Sequence, residues 1–226
     1  MKTPQQFYTE LTAENLAKRK KPEHTKLELK YIKNLLNKNQ RILDLGCGYG
    51  RFTIPLAKQE YDIKGIDITP VLIKKAREIA RKQKVKIDFK IGDMKKLPYR
   101  KESFDAIVCM WTVFNELINK KDQLRSIKEM LRVLSKKGFA LIEMPLPVKI
   151  TGDKRTIRYE KSKDELVFHK KTHLVESTIS GLKARTSYMH DKNTLSALMK
   201  EAKIKRFNIF ADKFGGRKRF FLKFYK

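Results

Sequence analysis

Cysteine is nearly absent from the 226 residues: Cys47 and Cys109 are the only two. That scarcity excludes a disulfide-stapled scaffold and a cysteine-rich zinc site, and a reducing cytoplasm is the expected location. Long apolar runs are missing as well. The longest, near Ile107–Phe114, falls far short of the ~20 residues a bilayer-spanning helix needs, so no membrane span is expected. The first residues, MKTPQQFYTE, lack the apolar centre of a secretory signal. Acidic residues are few beside basic ones: 25 Asp and Glu stand against 53 Lys and Arg, a formal net charge of +28.

The positive surplus runs along the whole chain. It is densest in residues 147–226, where 21 basic side chains meet 8 acidic ones, and no stretch is a pure basic tail. Such a surface attracts polyanions by releasing counterions, so RNA is a physically sensible partner. Charge speaks to association and not to chemistry, and a lysine-rich proteome gives the same surplus. An ion-pair network of the thermophile kind is disfavoured because Glu does not keep pace with Lys.

With 41% hydrophobic residues, the length suits one folded domain carrying an insert. Residues 3–20 read as one helix, with Thr3 as cap, Pro4 in the first turn and Gln6 as capping-box partner. A second helix is expected from Pro22 to Leu36, with Leu27, Tyr31 and Leu35 on one face. From Arg41 the pattern alternates. Strands are expected at Arg41–Leu45, Asp62–Ile66, Lys86–Ile91, Phe104–Met110 and Gly138–Met144. Helices are expected between them, at Arg51–Gln59, Pro70–Gln83 and Asp122–Leu134. That alternation predicts an α/β fold, doubly wound and mostly parallel, with helices on both faces. After Pro145 and Pro147 the composition shifts to β-branched, aromatic and charged residues. Turn signals at Thr151-Gly152-Asp153, Ser162-Lys163-Asp164 and Ser180-Gly181 mark a small antiparallel insert with strands near Thr156–Glu160, Leu166–Lys171, Thr172–Ile179 and Lys183–Met189. Asp191 then caps a helix through Ala202, and strands near Arg206–Phe210 and Arg219–Tyr225 close the chain. The division expected is a helical cap at 1–39, a nucleotide-binding domain at 40–147 and 191–226, and an insert or lid at 148–190.

The chemistry concentrates in Arg41-Ile-Leu-Asp44-Leu-Gly46-Cys47-Gly48-Tyr-Gly50. An apolar strand runs straight into a glycine-rich turn, where the missing Cβ atoms let backbone approach a ligand closely. A dinucleotide fingerprint places its third glycine three residues after the second. Counting from Gly46, that position is Arg51. The spacing present is Gly-x-Gly-x-Gly, with Asp44 two residues ahead. A carboxylate facing the turn repels a pyrophosphate and suits a cationic ammonium.

These residues resemble the class I S-adenosylmethionine-dependent methyltransferases. The segment 44–50 is similar to the family's first motif. Gly65-Ile66-Asp67-Ile68 is similar to its ribose-binding acidic position, and Gly92-Asp93-Met94 to its adenine-binding pair. Phe104-Asp105-Ala106-Ile107-Val108 is similar to the fourth-strand motif, and Leu134-Ser-Lys-Lys-Gly138 to the turn before the fifth strand. The resemblance implies a seven-stranded sheet whose seventh strand runs antiparallel. It also implies S-adenosyl-L-methionine as methyl donor, leaving as S-adenosyl-L-homocysteine, with Asp44, Gly46, Cys47, Gly48, Gly50, Asp67, Ile68, Asp93, Met94, Met110 and Trp111 around it. Other readings stay open: Asp44 as a cap for the next helix, Asp67 as a turn residue, Asp93 as the ion-pair partner of Lys95 or Lys96. Cys47 and Cys109 are read as small fillers, with no neighbouring base to activate them.

The stretch after the fourth strand, Cys109 to Glu116, carries neither the Asn/Asp-Pro-Pro-aromatic tetrapeptide of exocyclic-base methylation nor a Pro-Cys nucleophile. It resembles small-molecule N-, O- or C-methyltransferases, so a small-molecule acceptor is expected, with RNA or a nucleic-acid-associated protein as the alternative and a non-catalytic binding module behind both. Acceptor contacts are expected from Tyr8, Phe114, Asn115, Tyr188 and His190, with Phe114 and Trp111 equally readable as core. Arg19 is a candidate for the donor's carboxylate, and His169 is a less favoured proton acceptor.

Overall fold

The computed structural model describes residues 2–159, 164–179 and 182–226. Its main element is a seven-stranded sheet built from β1 (Ile42–Leu45), β2 (Ile63–Asp67), β3 (Phe89–Ile91), β4 (Phe104–Cys109), β5 (Leu134–Met144), β10 (Phe207–Phe214) and β11 (Arg217–Tyr225), in the order β10-β11-β5-β4-β1-β2-β3. The strands β1 to β5 pair in parallel, and β11 runs antiparallel to both β5 and β10. A second sheet of four antiparallel strands holds β6 (Lys154–Tyr159), β7 (Asp164–His169), β8 (Leu174–Ile179) and β9 (Leu182–Tyr188).

Strand alternation sorts the core into two layers, because successive side chains point to opposite faces. Leu43, Leu45, Ile107 and Cys109 pack on one face, against Ile127, Met130 and Val133 of α6 (Lys120–Val133) and Leu195, Leu198 and Met199 of α7 (Lys192–Glu201). Ile42, Ala106 and Val108 pack on the other, against Ile32 of α3 (Pro22–Leu35) and Leu56 of α4 (Thr53–Ala57). Helix α5 (Pro70–Lys82) adds Ile73, Ala76 and Ala80 around Phe89. Emptying one such position, Ile127 to Ala for example, costs about 2–5 kcal/mol.

The expected α/β plan holds, and its boundaries move for identifiable reasons. The single N-terminal helix is two, α1 (Pro4–Leu11) and α2 (Ala13–Lys18), because Thr12 takes φ 64° and its hydroxyl accepts from Asn15 N–H as a second cap. The third strand is only Phe89–Ile91, and α4 only Thr53–Ala57. The fifth strand starts at Leu134 rather than Gly138. Leu134 already pairs with Phe104, and the residues up to Gly138 form an irregularity before the register resumes at Ala106 with Phe139. The last two strands are longer than expected and join at Gly215-Gly216, both with positive φ. The turn signals at Ser162-Lys163 and Ser180-Gly181, and the strand end at Glu160, lie outside the described residues.

The chain winds outward from β1 to β3 and returns to β4 on the opposite side of β1. The strand order reverses there, and in open parallel sheets the crevice at the carboxyl ends beside that reversal is where ligands bind. The segments that leave these strand ends are 46–52, 68–69, 92–95 and 110–119.

Candidate functional site

A cavity of about 710 Å³ opens at this place, lined by the segments leaving β1 to β4, by α1 and α2, and by Ile179, Arg185 and Thr186 of the second sheet. The glycine turn forms its floor. Gly46 N–H and Cys47 N–H both donate to Ile66 O, at 2.8 and 3.0 Å, which folds the turn back over β2. Gly46 sits at φ +78°, and a Cβ there would lie 2.4 Å from Val113 Cγ1. Gly48, at φ +55°, has open space instead: a Cβ would meet only Leu72, at 3.9 Å. This is backbone exposed to a ligand.

Asp67 closes the turn. Its Oδ2 accepts from Gly48 N–H at 2.9 Å and its Oδ1 from Thr69 N–H at 2.8 Å. Burial raises its pKa, opposed by those two donors. Each oxygen keeps a second lone pair, and the residue lines the cavity. Asp44 is 2% exposed and accepts from Thr53 Oγ1 at 2.7 Å. Burial pushes its pKa up to about 6 against that hydrogen bond and the Arg51 charge, with Asp67 adding repulsion. Asp44 thus holds the Thr53 side chain at the start of α4, whose cap position is Phe52 with no side-chain cap bond, and it also lines the cavity. Asp93 follows β3, accepts from Lys95 N–H at 2.8 Å and lies 3.5 Å from Lys95 Nζ, which also reaches Asp122 at 3.3 Å. Cys47, Ile68, Met94, Met110 and Trp111 line the same cavity. Burial raises both cysteine thiols well above their ordinary range, as expected of fillers.

Gly50 does not line the cavity: a Cβ there would press on Ile54 and Phe89, so it serves the packing of α4 behind the turn. Four of the expected acceptor contacts are also elsewhere. A one-turn 3₁₀ helix, Phe114–Glu116, turns Phe114 and Asn115 into the protein and leaves Glu116 on the cavity wall. Phe114 packs on His190 with ring centroids 5.4 Å apart, Tyr188 packs on His190 at 4.7 Å, and Asn115 Nδ2 donates to Tyr188 O at 2.8 Å. Burial pushes the His190 pKa down to about 3. These residues join β9 to the main sheet. Tyr8, by contrast, does line the cavity, donating to Glu116 Oε1 at 2.8 Å and accepting from Arg185 Nη1 at 2.7 Å. Arg185 and Glu116 form an ion pair. Arg19 lines the cavity as well and pairs with Asp164 of β7 at 2.5 Å. His169 lies 3.2 Å from Glu176 within the second sheet.

Sequence reasoning missed a charged group around Trp111. This residue leaves β4 at φ 62° and donates its backbone N–H to Glu143 Oε2 at 2.6 Å. Its indole Nε1 donates to Glu28 Oε2 at 3.1 Å. Lys20 Nζ lies 2.9 Å from its ring centroid, Arg51 Cζ 4.9 Å and Arg219 Cζ 5.7 Å. Arg51 is the residue directly after the glycine turn, which was a usable signal. Nothing distinguished Lys20 within Lys18–Lys21 or Arg219 within its basic strand.

A doubly wound sheet of this order brings Asp44, the glycine turn and Asp67 together at the reversal, and this is the fold of solved S-adenosylmethionine-dependent methyltransferases. Residues 42–138 match the family described as "Methyltransferase domain". Over 116 residues the chain is 34% identical to a demethylmenaquinone methyltransferase of Deinococcus radiodurans, a match spanning 50% of this chain and 46% of that one. The chain thus spans about half the length of the curated relatives it matches. The fold is also that of the CcbJ methyltransferase from Streptomyces caelestis (TM-score 0.74, 13% identity, 99% of this chain and 96% of that one). It is equally that of the sugar N-methyltransferase KedS8 from Streptoalloteichus (TM-score 0.69, 15% identity, 95% and 93%). Among the described residues no helix is long and apolar enough to cross a membrane.

Proposed function

We propose that this protein transfers a methyl group from S-adenosyl-L-methionine to an N, O or C nucleophile of a small-molecule acceptor, by in-line displacement in a reducing cytoplasm. One observation carries the reading. Three carboxylates, Asp44, Asp67 and Asp93, follow one another along the ends of β1, β2 and β3 in one cavity beside open glycine backbone. That donor set fits an ammonium, a ribose and an adenine amine, and it opposes a diphosphate. In this reading Asp67 accepts from the ribose hydroxyls and Asp44 faces the ammonium. Asp93 and Met94 hold the adenine edge, with Ile68 against the ring, and Met110 and Trp111 wall the sulfur end.

The bound donor supplies an electrophilic methyl on a sulfonium that leaves as a neutral thioether, so a general base is optional. The protein's share is alignment and exclusion of water. Helices α1 and α2 and strands β8 and β9 supply the exclusion: Phe7, Tyr8, Leu11 and Leu16 line the cavity from the helices and Ile179 and Thr186 from the strands. The Tyr8–Glu116–Arg185 group ties α1, the segment after β4, and β9 together over the reacting end. In this reading residues 1–39 and 148–190 act as a lid on the domain formed by 40–147 and 191–226.

The test is a thermal melt with S-adenosyl-L-homocysteine. Ligand at 100 times its Kd adds about 2.7 kcal/mol of stability, which raises the Tm of a chain this size by about 5–10 °C. NADH at the same concentration leaves it unchanged. An equal shift with NADH, or none with S-adenosyl-L-homocysteine at millimolar concentration, overturns the reading.

A further inference from the structure

The donor residues proposed above occupy the ends of β1, β2 and β3. Trp111, Glu143 and Arg219 lie on the other side of the reversal, at β4, β5 and β11, and are met there by Lys20 from the end of α2, Glu28 of α3 and Arg51 from beside the glycine turn. Arg219 on β11 is three strand positions from Asp44 on β1, about 14 Å at the usual ~4.8 Å spacing. In the methyl-transfer reading, this is the half of the crevice left for the acceptor.

Its charges do not balance. Lys20, Arg51 and Arg219 gather around one indole, and Glu28 and Glu143 are the carboxylates that answer them. Arg219 pairs with Glu143, and Arg51 with Glu28 at 2.5 Å. Among the described residues no carboxylate lies within ion-pair distance of Lys20, whose ammonium rests on the face of Trp111 at 2.9 Å. Arg51 Nη2 is buried with no hydrogen-bond partner. All three cations line the cavity. An unpaired cation out of water is costly, and an anion entering the site relieves that cost. The Lys20 ammonium responds as such a position requires: burial, followed by repulsion from Arg51, pushes its pKa down to about 6.

We propose that the methyl acceptor carries an anionic group, a carboxylate or a phosphate, which docks between Lys20 and Arg51 beside Trp111, with Arg219 behind. This rests on the methyl-transfer reading and adds the substrate class to it. The same anionic chemistry exists on the donor's own carboxylate, so the test separates the two sources.

Trp111 is the only tryptophan, so its fluorescence reports on this site. The full chain, saturated with S-adenosyl-L-homocysteine, is titrated with benzoate, phenyl phosphate and the neutral isostere benzamide. At least one anionic probe is expected to bind at least tenfold more tightly than benzamide. Lys20→Met, which breaks no ion pair, weakens that probe at least tenfold, keeps the Kd for S-adenosyl-L-homocysteine within twofold, and is rescued to within threefold of wild type by Lys20→Arg. Equal response to benzamide, or no response to either anion, overturns the inference while homocysteine-nucleoside binding still upholds methyl transfer. A Lys20→Met variant that loses the nucleoside as strongly as the anion assigns the cation to the donor's carboxylate and also overturns it. A wild-type protein that does not bind S-adenosyl-L-homocysteine ends both readings together.

Discussion

Asp44→Asn is expected to make the empty protein more stable and the donor site useless. The carboxylate is 2% exposed, forms no ion pair with any described residue, and has one hydrogen-bond donor, Thr53 Oγ1, at 2.7 Å. Its pKa rises from 3.8 to about 6 mainly because burial opposes the charge. Between those two values the folded chain holds a proton that the unfolded chain has released, so stability falls as pH rises from about 4 to 6 and the loss is complete above 6. At 1.36 kcal/mol per pH unit the loss approaches about 3 kcal/mol. Asparagine has the same shape, keeps an acceptor for Thr53 and bears no charge. Its stability advantage over wild type should therefore be near zero at pH 4 and grow to as much as about 3 kcal/mol by pH 7, read as a difference in Tm of up to about 6–12 °C. Donor affinity should move the other way. Removing one side of a desolvated charge pair costs about 2 kcal/mol or more, so S-adenosyl-L-homocysteine should bind at least about 30-fold more weakly at pH 8. Melts across pH 4–8 and one isothermal titration decide it. A variant less stable than wild type at pH 8, or one that keeps the nucleoside, refutes the assignment of Asp44 to the ammonium.

The Asp67 position separates folding from binding. Asp67→Ala strips Gly48 N–H and Thr69 N–H of their acceptors and should lower stability by about 1–3 kcal/mol for each group left unpaired; Asp67→Asn keeps an acceptor for only one of the two, so it should lose about 1–3 kcal/mol, less than Asp67→Ala, and at least tenfold in S-adenosyl-L-homocysteine affinity, and unchanged affinity there removes the ribose assignment. Gly65→Ala puts a Cβ 2.6 Å from Phe89 Cδ1 and 2.9 Å from Cys47 Sγ, an overpacking worth about 1–3 kcal/mol in a denaturant melt; Phe89→Leu in the same chain should recover part of it, and an undisturbed Gly65→Ala melt contradicts the packing described. Bulk tRNA should bind at low salt through the +28 surface and release steeply as salt rises; tight binding that survives about 150 mM salt, together with methyl incorporation into the RNA, favours the macromolecular acceptor over the small one.

The two halves of the crevice differed in how far the amino-acid order exposed them, and the difference is physical. On the β1–β3 side the proposed donor site offers backbone and short acidic side chains held within a few residues of the strand ends. Glycine at 46 and 48 and aspartate at 44 and 67 are demanded by local conformation and local hydrogen bonds, so their spacing along the chain survives as a readable pattern. The strand order and the two-faced core were legible for the same reason, since Leu43, Ile107 and Ile127 follow periods of two and 3.6. On the β4–β11 side the site is assembled from Lys20, Glu28, Arg51, Glu143 and Arg219, five residues from five separate segments, and no local rule links them. The buried Glu143 sits in a strand where period and hydrophobicity predict another apolar residue, and the Trp111 N–H and the arrival of Arg219 from the last strand explain it. Tyr188, His190, Phe114 and Asn115 show the opposite error. They carry chemistry-bearing side chains in the expected segments, and a single 3₁₀ turn directs Phe114 and Asn115 against Tyr188 and His190 at the end of β9. If the proposed reading holds, donor recognition is encoded locally and acceptor recognition by long-range assembly, so the charge pattern around Trp111, rather than any motif, is the place to look for what distinguishes this protein's acceptor.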